Sequence, residues 1–138
     1  MATITPSPVM ATPAAPSDEA ARHFRHLLSV ETDCADVNVA LQGGEADFVL
    51  LDVRSPAAFD AGHVDGAVNV PTAAIDAERL DALGPEATFV VYCAGPHCNG
   101  ADKAALRIAE LGRPVKKMIG GVTGWLDEGL TLTPGSAS

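Results

Sequence analysis

Apolar positions along the chain change period several times, and each change marks a predicted element. Ala21, Phe24, Leu27 and Leu28 recur at helical spacing, which predicts an amphipathic helix over about 18–30. Ser17, followed by Asp18 and Glu19, reads as its N-cap with acids in the first turn. Asp33 reads as the cap of a second helix, Cys34 to Gln42, closed by Gly43 and Gly44. From Phe48 to Val53 the chain is almost continuously apolar, the pattern of a strand buried on both faces. Ser55 and Pro56 then open a short helix that Gly62 ends.

The second half repeats this alternation. A small strand is predicted around Ala67–Val70, a weak helix over Ile75–Leu83, and a second continuous apolar strand over Thr88–Tyr92. Ala101–Leu111 has the strongest helical pattern, with Ala105, Ile108, Ala109 and Leu111 as its apolar stripe and Gly112 as its stop. Val115–Ile119 reads as a strand, and Gly120-Gly121 turns it into a short segment, Val122–Glu128. Strands alternating with helices at this spacing predict an α/β domain, a parallel sheet with helices on both faces. Residues 1–16 are Pro-, Ala-, Ser- and Thr-rich without periodicity, which predicts a flexible tail before a single domain over 17–134.

Composition narrows the function. A net charge of -9 excludes a phosphate-rich partner, so no nucleic acid is expected, and the acids are spread along the chain as for solubility. No run approaches the roughly 20 apolar residues of a membrane span. The N-terminal residues lack the basic start and unbroken apolar core of a secretory signal. Three cysteines, Cys34, Cys93 and Cys98, cannot build a disulfide framework. A reducing, cytoplasmic setting with free thiols and a monomeric chain are therefore expected. His23 and His26 read as solvated surface residues, and Cys34, beside an apolar helix face, reads as core filler.

The chemistry concentrates at YCAGPHCNGADKAA, Tyr92 to Ala105. In an open parallel sheet, ligands bind beyond the carboxyl ends of the strands, where the second long strand places Cys93. Ala94, Gly95, Pro96, His97, Cys98, Asn99 and Gly100 separate it from the next helix. A loop of such small residues can wrap tightly and aim N–H groups inward, favouring an anion and a reactive thiol of depressed pKa. The loop alone also fits a merely packed thiol. A zinc site is disfavoured, because C-x4-C with only His97 adjacent lacks a second ligand pair.

Three ordered blocks extend the reading. FVLLDVRSPAAFDAGHVDGAVNVP resembles the first signature of the rhodanese family, VVYCAGPHCNGADKAALRIAELG its catalytic strand–loop–helix, and VKKMIGGVTGWLDEG its closing block. Together they cover roughly Phe48 to Leu130. The resemblance implies a small open, mainly parallel five-stranded sheet with helices on both faces. It also implies a sulfurtransferase that carries sulfane sulfur as a persulfide on Cys93, from a donor such as thiosulfate to cyanide or a thiol, without a cofactor or metal. Asp52, Arg54, His63 and Trp125 match conserved family positions with structural roles.

The chain departs from the family pattern in the loop, which holds no Arg or Lys. Donor recognition then falls to backbone amides and His97. The position five after Cys93 is Cys98 rather than the arginine that phosphatases of the same fold require, so phosphoryl chemistry is disfavoured. Cys98 is a candidate resolving thiol for Cys93. A thiol redox module using the two cysteines and a non-catalytic protein-binding domain are the alternative readings.

Overall fold

The computed structural model describes residues 5–135. The expectation of a flexible tail falls partly on residues 1–4, outside the described residues. Residues 5–16 are exposed and carry one 3-10 turn, Pro8–Met10. The described elements then run α1 (Ser17–Val30), β1 (Glu31–Thr32), α2 (Cys34–Gln42), β2 (Val49–Asp52), α3 (Pro56–Ala61) and β3 (Val68–Asn69). They continue with α4 (Ala77–Leu83), β4 (Phe89–Tyr92), α5 (Gly100–Glu110), β5 (Val115–Met118) and α6 (Gly121–Asp127).

The five strands form one sheet in the order β1-β5-β4-β2-β3, and every neighbouring pair is parallel. β4 is central and buried at all four positions. Because successive side chains of a strand point to opposite faces, Phe89 and Val91 enter one core and Val90 and Tyr92 the other. The first core joins them to Leu51, Leu80, Ala101, Ala104 and Ile108, under α4 and α5. The second gathers Val37, Leu50, Val64, Met118 and Trp125, under α2 and α6. Both faces are covered, which is why β4 reads as an unbroken apolar run and β2 as one broken only by the buried Asp52.

Local signals account for most boundaries. Asp33 caps α2 by accepting from the Asp36 amide at 2.8 Å, and Ser55 caps α3 by accepting from Ala58 at 3.2 Å. Ser17, expected as the cap of α1, is instead its first residue. Pro16 holds the cap position and its carbonyl accepts from Ala20 at 3.0 Å, so the Ser17 backbone is already helical and its hydroxyl caps nothing. The apolar face of α1 also stays largely open, with Phe24 57% and Leu28 71% exposed. In α5 the buried stripe is Ala101, Ala104 and Ile108, so of the expected positions Ile108 is buried and Ala105 partly so, while Ala109 is exposed. Leu111 falls at the helix end, where the backbone leaves helical geometry and turns it outward.

A buried ion pair ties β2 to the turns beyond it. Asp52 is wholly buried and accepts from Arg54 Nε at 3.0 Å and Nη2 at 2.6 Å. The same Nη2 donates to the Gly62 carbonyl at 2.6 Å, and Asn69 Nδ2 donates to the Asp52 and Arg54 carbonyls at 3.0 Å each. Two nitrogens on one carboxylate is the strong form of this pair. Removing one partner leaves the other charge buried and alone. Asp52→Ala is therefore expected to cost about 3–5 kcal/mol in urea unfolding. Asp18→Ala, which removes the exposed partner of Arg22, is expected to cost less than about 0.5 kcal/mol.

Candidate active site

The pleat that sends Phe89 and Val91 into the α5 core sends the next odd residue, Cys93, the same way. Its thiol is 8% exposed and sits among the residues of that core. The chain then turns back on itself. Cys98 N–H donates to the Gly95 carbonyl at 3.0 Å, while the carbonyls of Cys93 and Ala94 accept from Val122 and Thr123 N–H at 3.0 Å each. The start of α6 thus anchors the start of the loop. Gly121, with φ +56°, is required there, because a Cβ would overlap the Cys93 carbonyl and stand 2.8 Å from the Gly95 nitrogen.

This folding brings the two thiols together, with the Cys93 and Cys98 sulfurs 2.9 Å apart. Gly100, at the first position of α5, lies against both. Its N–H donates to Cys98 Sγ at 3.4 Å, and a Cβ on it would stand 2.7 Å from Cys93 Sγ and 3.3 Å from Cys98 Sγ. The sulfurs open into a cavity of about 180 Å³ that Gly95, Pro96, Asp102, Lys117 and Gly120 help to line. A wider groove of about 450 Å³ lies elsewhere, beside Trp125 and Leu130, and contains neither thiol.

The acidities of the pair run opposite to the sequence expectation for Cys93. Burial, then the hydrogen bond with Cys98, pushes the Cys93 thiol up to about 11, against the lowering effect of the Ala94 amide. Cys98 is lower than an ordinary thiol, first through its hydrogen bond with Cys93 and next through the Gly100 N–H. Cys98 is also the more exposed sulfur, so water supports its charge. Of the two, Cys98 is therefore the more acidic and Cys93 the later to lose its proton.

Lys117 of β5 is the cation that sequence reasoning missed. It reaches the cavity from the strand next to β4, 2.9 Å from Asp102 and 3.6 Å from Glu31, and the Asp102 hydrogen bond is the first cause of its raised pKa. Strand β1, which supplies Glu31, was also missed, since two residues carry no alternation to read. His97 is exposed and stands outside the lining of the cavity. Of the other loop residues, Ala94 and Gly100 face the sulfurs through their amides, and Asn99 is exposed at the start of α5. Arg107 is committed elsewhere, donating to the Ile75 carbonyl at 2.7 Å.

The remaining expected positions hold the frame. His63 is buried, stacked on Phe59 with ring centroids 3.6 Å apart, and its Nδ1 is 2.9 Å from the Phe59 carbonyl. Trp125 packs in the core on the far face from Cys93, donating from Nε1 to the Thr131 carbonyl at 3.0 Å. Cys34 is buried in that same core, with its thiol 3.5 Å from the Ile119 carbonyl and 3.7 Å from that of Gly121. Burial pushes it up to about 11. No helix among the described residues is long and apolar enough to cross a membrane.

A parallel sheet whose central strand delivers a thiol into a tight loop before a helix is the arrangement of rhodanese-like domains. Residues 34–128 match the Rhodanese-like domain family, and the chain belongs to it. Among solved structures it is similar to the BH2092 protein from Bacillus halodurans, at 36% identity and a TM-score of 0.82, over 86% of this chain and 87% of that one. It is also similar to a thiosulfate sulfurtransferase from Pseudomonas aeruginosa, at 27% identity and a TM-score of 0.66, over 86% of this chain and 22% of that one. A curated relative is the HTH-type transcriptional regulator Rv0324 of Mycobacterium tuberculosis, 36% identical over 90 residues. That match covers 65% of this chain and 39% of the regulator, so it spans well under half of the relative's length.

The thiol acidities have a direct readout. The lowered pKa of Cys98 gives it a larger thiolate fraction than an ordinary cysteine at a given pH, whereas Cys93 and Cys34 ionise only near pH 11. Iodoacetamide followed by peptide mapping is expected to alkylate Cys98 first at neutral pH. Labelling of the other two should rise only in alkali.

Proposed function

We propose that the protein is a sulfurtransferase that carries sulfane sulfur as a persulfide on Cys93. The observation that carries the reading is the thiol of the central strand, lodged against the first turn of α5 and opening with a second thiol into a small cavity. Family membership and the similarity to a thiosulfate sulfurtransferase support the reaction class and the donor.

The chemistry follows from the contact of two thiols of unequal acidity. Cys98, the first of the pair to ionise, takes the Cys93 proton as Cys93 Sγ attacks the outer sulfur of thiosulfate. The sulfur–sulfur bond of the donor breaks, and sulfite leaves with its electron pair. The new persulfide sits where the Ala94 and Gly100 amides favour negative charge. Cyanide or a thiol then attacks the outer sulfur, and Cys93 departs as a thiolate. Lys117, which lines the cavity, is a counter-charge for an anionic donor, although Asp102 and Glu31 already hold it.

A second reading is favoured by the similarity to a transcriptional regulator. In it the thiol pair reports the presence of reactive sulfur instead of turning over. Repeated turnover separates the two.

With thiosulfate and cyanide, Cys93→Ser is expected to lower the rate of thiocyanate formation by at least about a thousandfold, since it removes the nucleophile. Intact mass after thiosulfate alone should lose the added sulfur in the same variant. Lys117→Gln is expected to raise KM for thiosulfate more than it lowers kcat. Equal sulfur loading of the parent protein and Cys93→Ser would rule the reading out.

A further inference from the structure

The cavity over the thiols is small for an external acceptor. At about 180 Å³ it lies below the roughly 300–1,000 Å³ of pockets that enclose whole ligands. A bulky thiol therefore has poor access to a persulfide seated inside it. Another acceptor is already present. Cys98 Sγ is 2.9 Å from Cys93 Sγ, the inner sulfur of any persulfide formed there. A disulfide needs about 2.05 Å between sulfurs, so bond formation asks for a movement of less than about 1 Å. The loop is folded to allow that approach, through the bond from Cys98 N–H to the Gly95 carbonyl and the bare Cα of Gly100 beside both sulfurs.

We propose a further activity that rests on the Cys93 persulfide: the release of sulfane sulfur as hydrosulfide by attack of Cys98 on the inner sulfur. The Cys98 sulfur bonds to Cys93 Sγ, and the bond between Cys93 Sγ and the outer sulfur breaks. The outer sulfur leaves with that electron pair and takes the Cys98 proton, so a persulfide anion and a thiol become a disulfide and HS⁻. Relative to its starting dithiol the protein is then oxidised by two electrons. One external dithiol, or two monothiols, must reduce the Cys93–Cys98 disulfide by thiol–disulfide exchange before another cycle. The substrate class thereby changes: the second substrate is a reductant of a disulfide and need never touch the sulfane atom. Attack on the outer sulfur would instead pass the sulfur to Cys98 without oxidation, but the contact lies at the inner one.

The test treats reduced, oxygen-free protein with thiosulfate and no acceptor, following sulfite, hydrosulfide and intact mass together. The expected result is a burst of sulfite matched by hydrosulfide, and a chain lighter by two hydrogens with Cys93 and Cys98 cross-linked in the peptide map. Dithiothreitol should then permit a second burst. Cys98→Ser is expected to release sulfite more slowly, to keep its added sulfur on Cys93 and to yield no hydrosulfide. Sulfite without hydrosulfide in the parent protein, with the sulfur retained on Cys93 or found on Cys98, overturns this activity and leaves the persulfide standing. No sulfite at all overturns the persulfide reading and this activity with it.

Discussion

Strand β4 has no side chain facing water, and the rest of the molecule is arranged around that constraint. A strand enclosed on both faces must offer apolar groups at every position, and its pleat then divides them between two cores. Phe89 and Val91 fix one side, Val90 and Tyr92 the other. The first residue beyond the strand inherits that parity. Cys93 is aimed at the α5 side by the alternation of the four residues before it, with no help from its own chemistry.

The same division puts the buried Asp52 carboxylate on the other face of the sheet, and its field is the last of the causes that raise the Cys93 thiol. Asp52 emerges from β2 on the Tyr92 side, where Arg54, Gly62 and Asn69 satisfy its surroundings. The sheet separates a fully paired polar knot from the pocket that holds the two thiols. On the pocket side the Gly100 amide donates to Cys98, and Lys117 lines the cavity while held by Asp102 and Glu31. For Cys93 burial outweighs the Ala94 amide, so seclusion rather than the loop dominates its acidity.

Much of the fold was legible because its signals are local. Asp33 and Ser55 cap as read, the runs at 48–53 and 88–92 are strands, and the three ordered blocks belong to one family. The misses share a cause. The cap of α1, the buried face of α5 and strand β1 depend on where neighbouring segments lie, which no local pattern states. The site divides in the same way. The position of Cys93 follows from strand parity, while its contact with Cys98 depends on loop closure by α6. Lys117 enters from another strand, so nothing in the loop announces it. His97 looked suited to receive an anion because it was the loop's remaining ionisable side chain, yet the loop turns it outward.

Cys34 fills the α2–α6 core, 4% exposed. Its seclusion has a use beyond packing. Thiol reagents reach it only when α2 or α6 lifts from the sheet, so at a fixed pH the speed of its labelling measures how often that face opens. The Cys93–Cys98 pair reports events on the opposite side of the same sheet. One chain thus carries thiol reporters of two different motions, one for breathing of the scaffold and one for the state of the pocket.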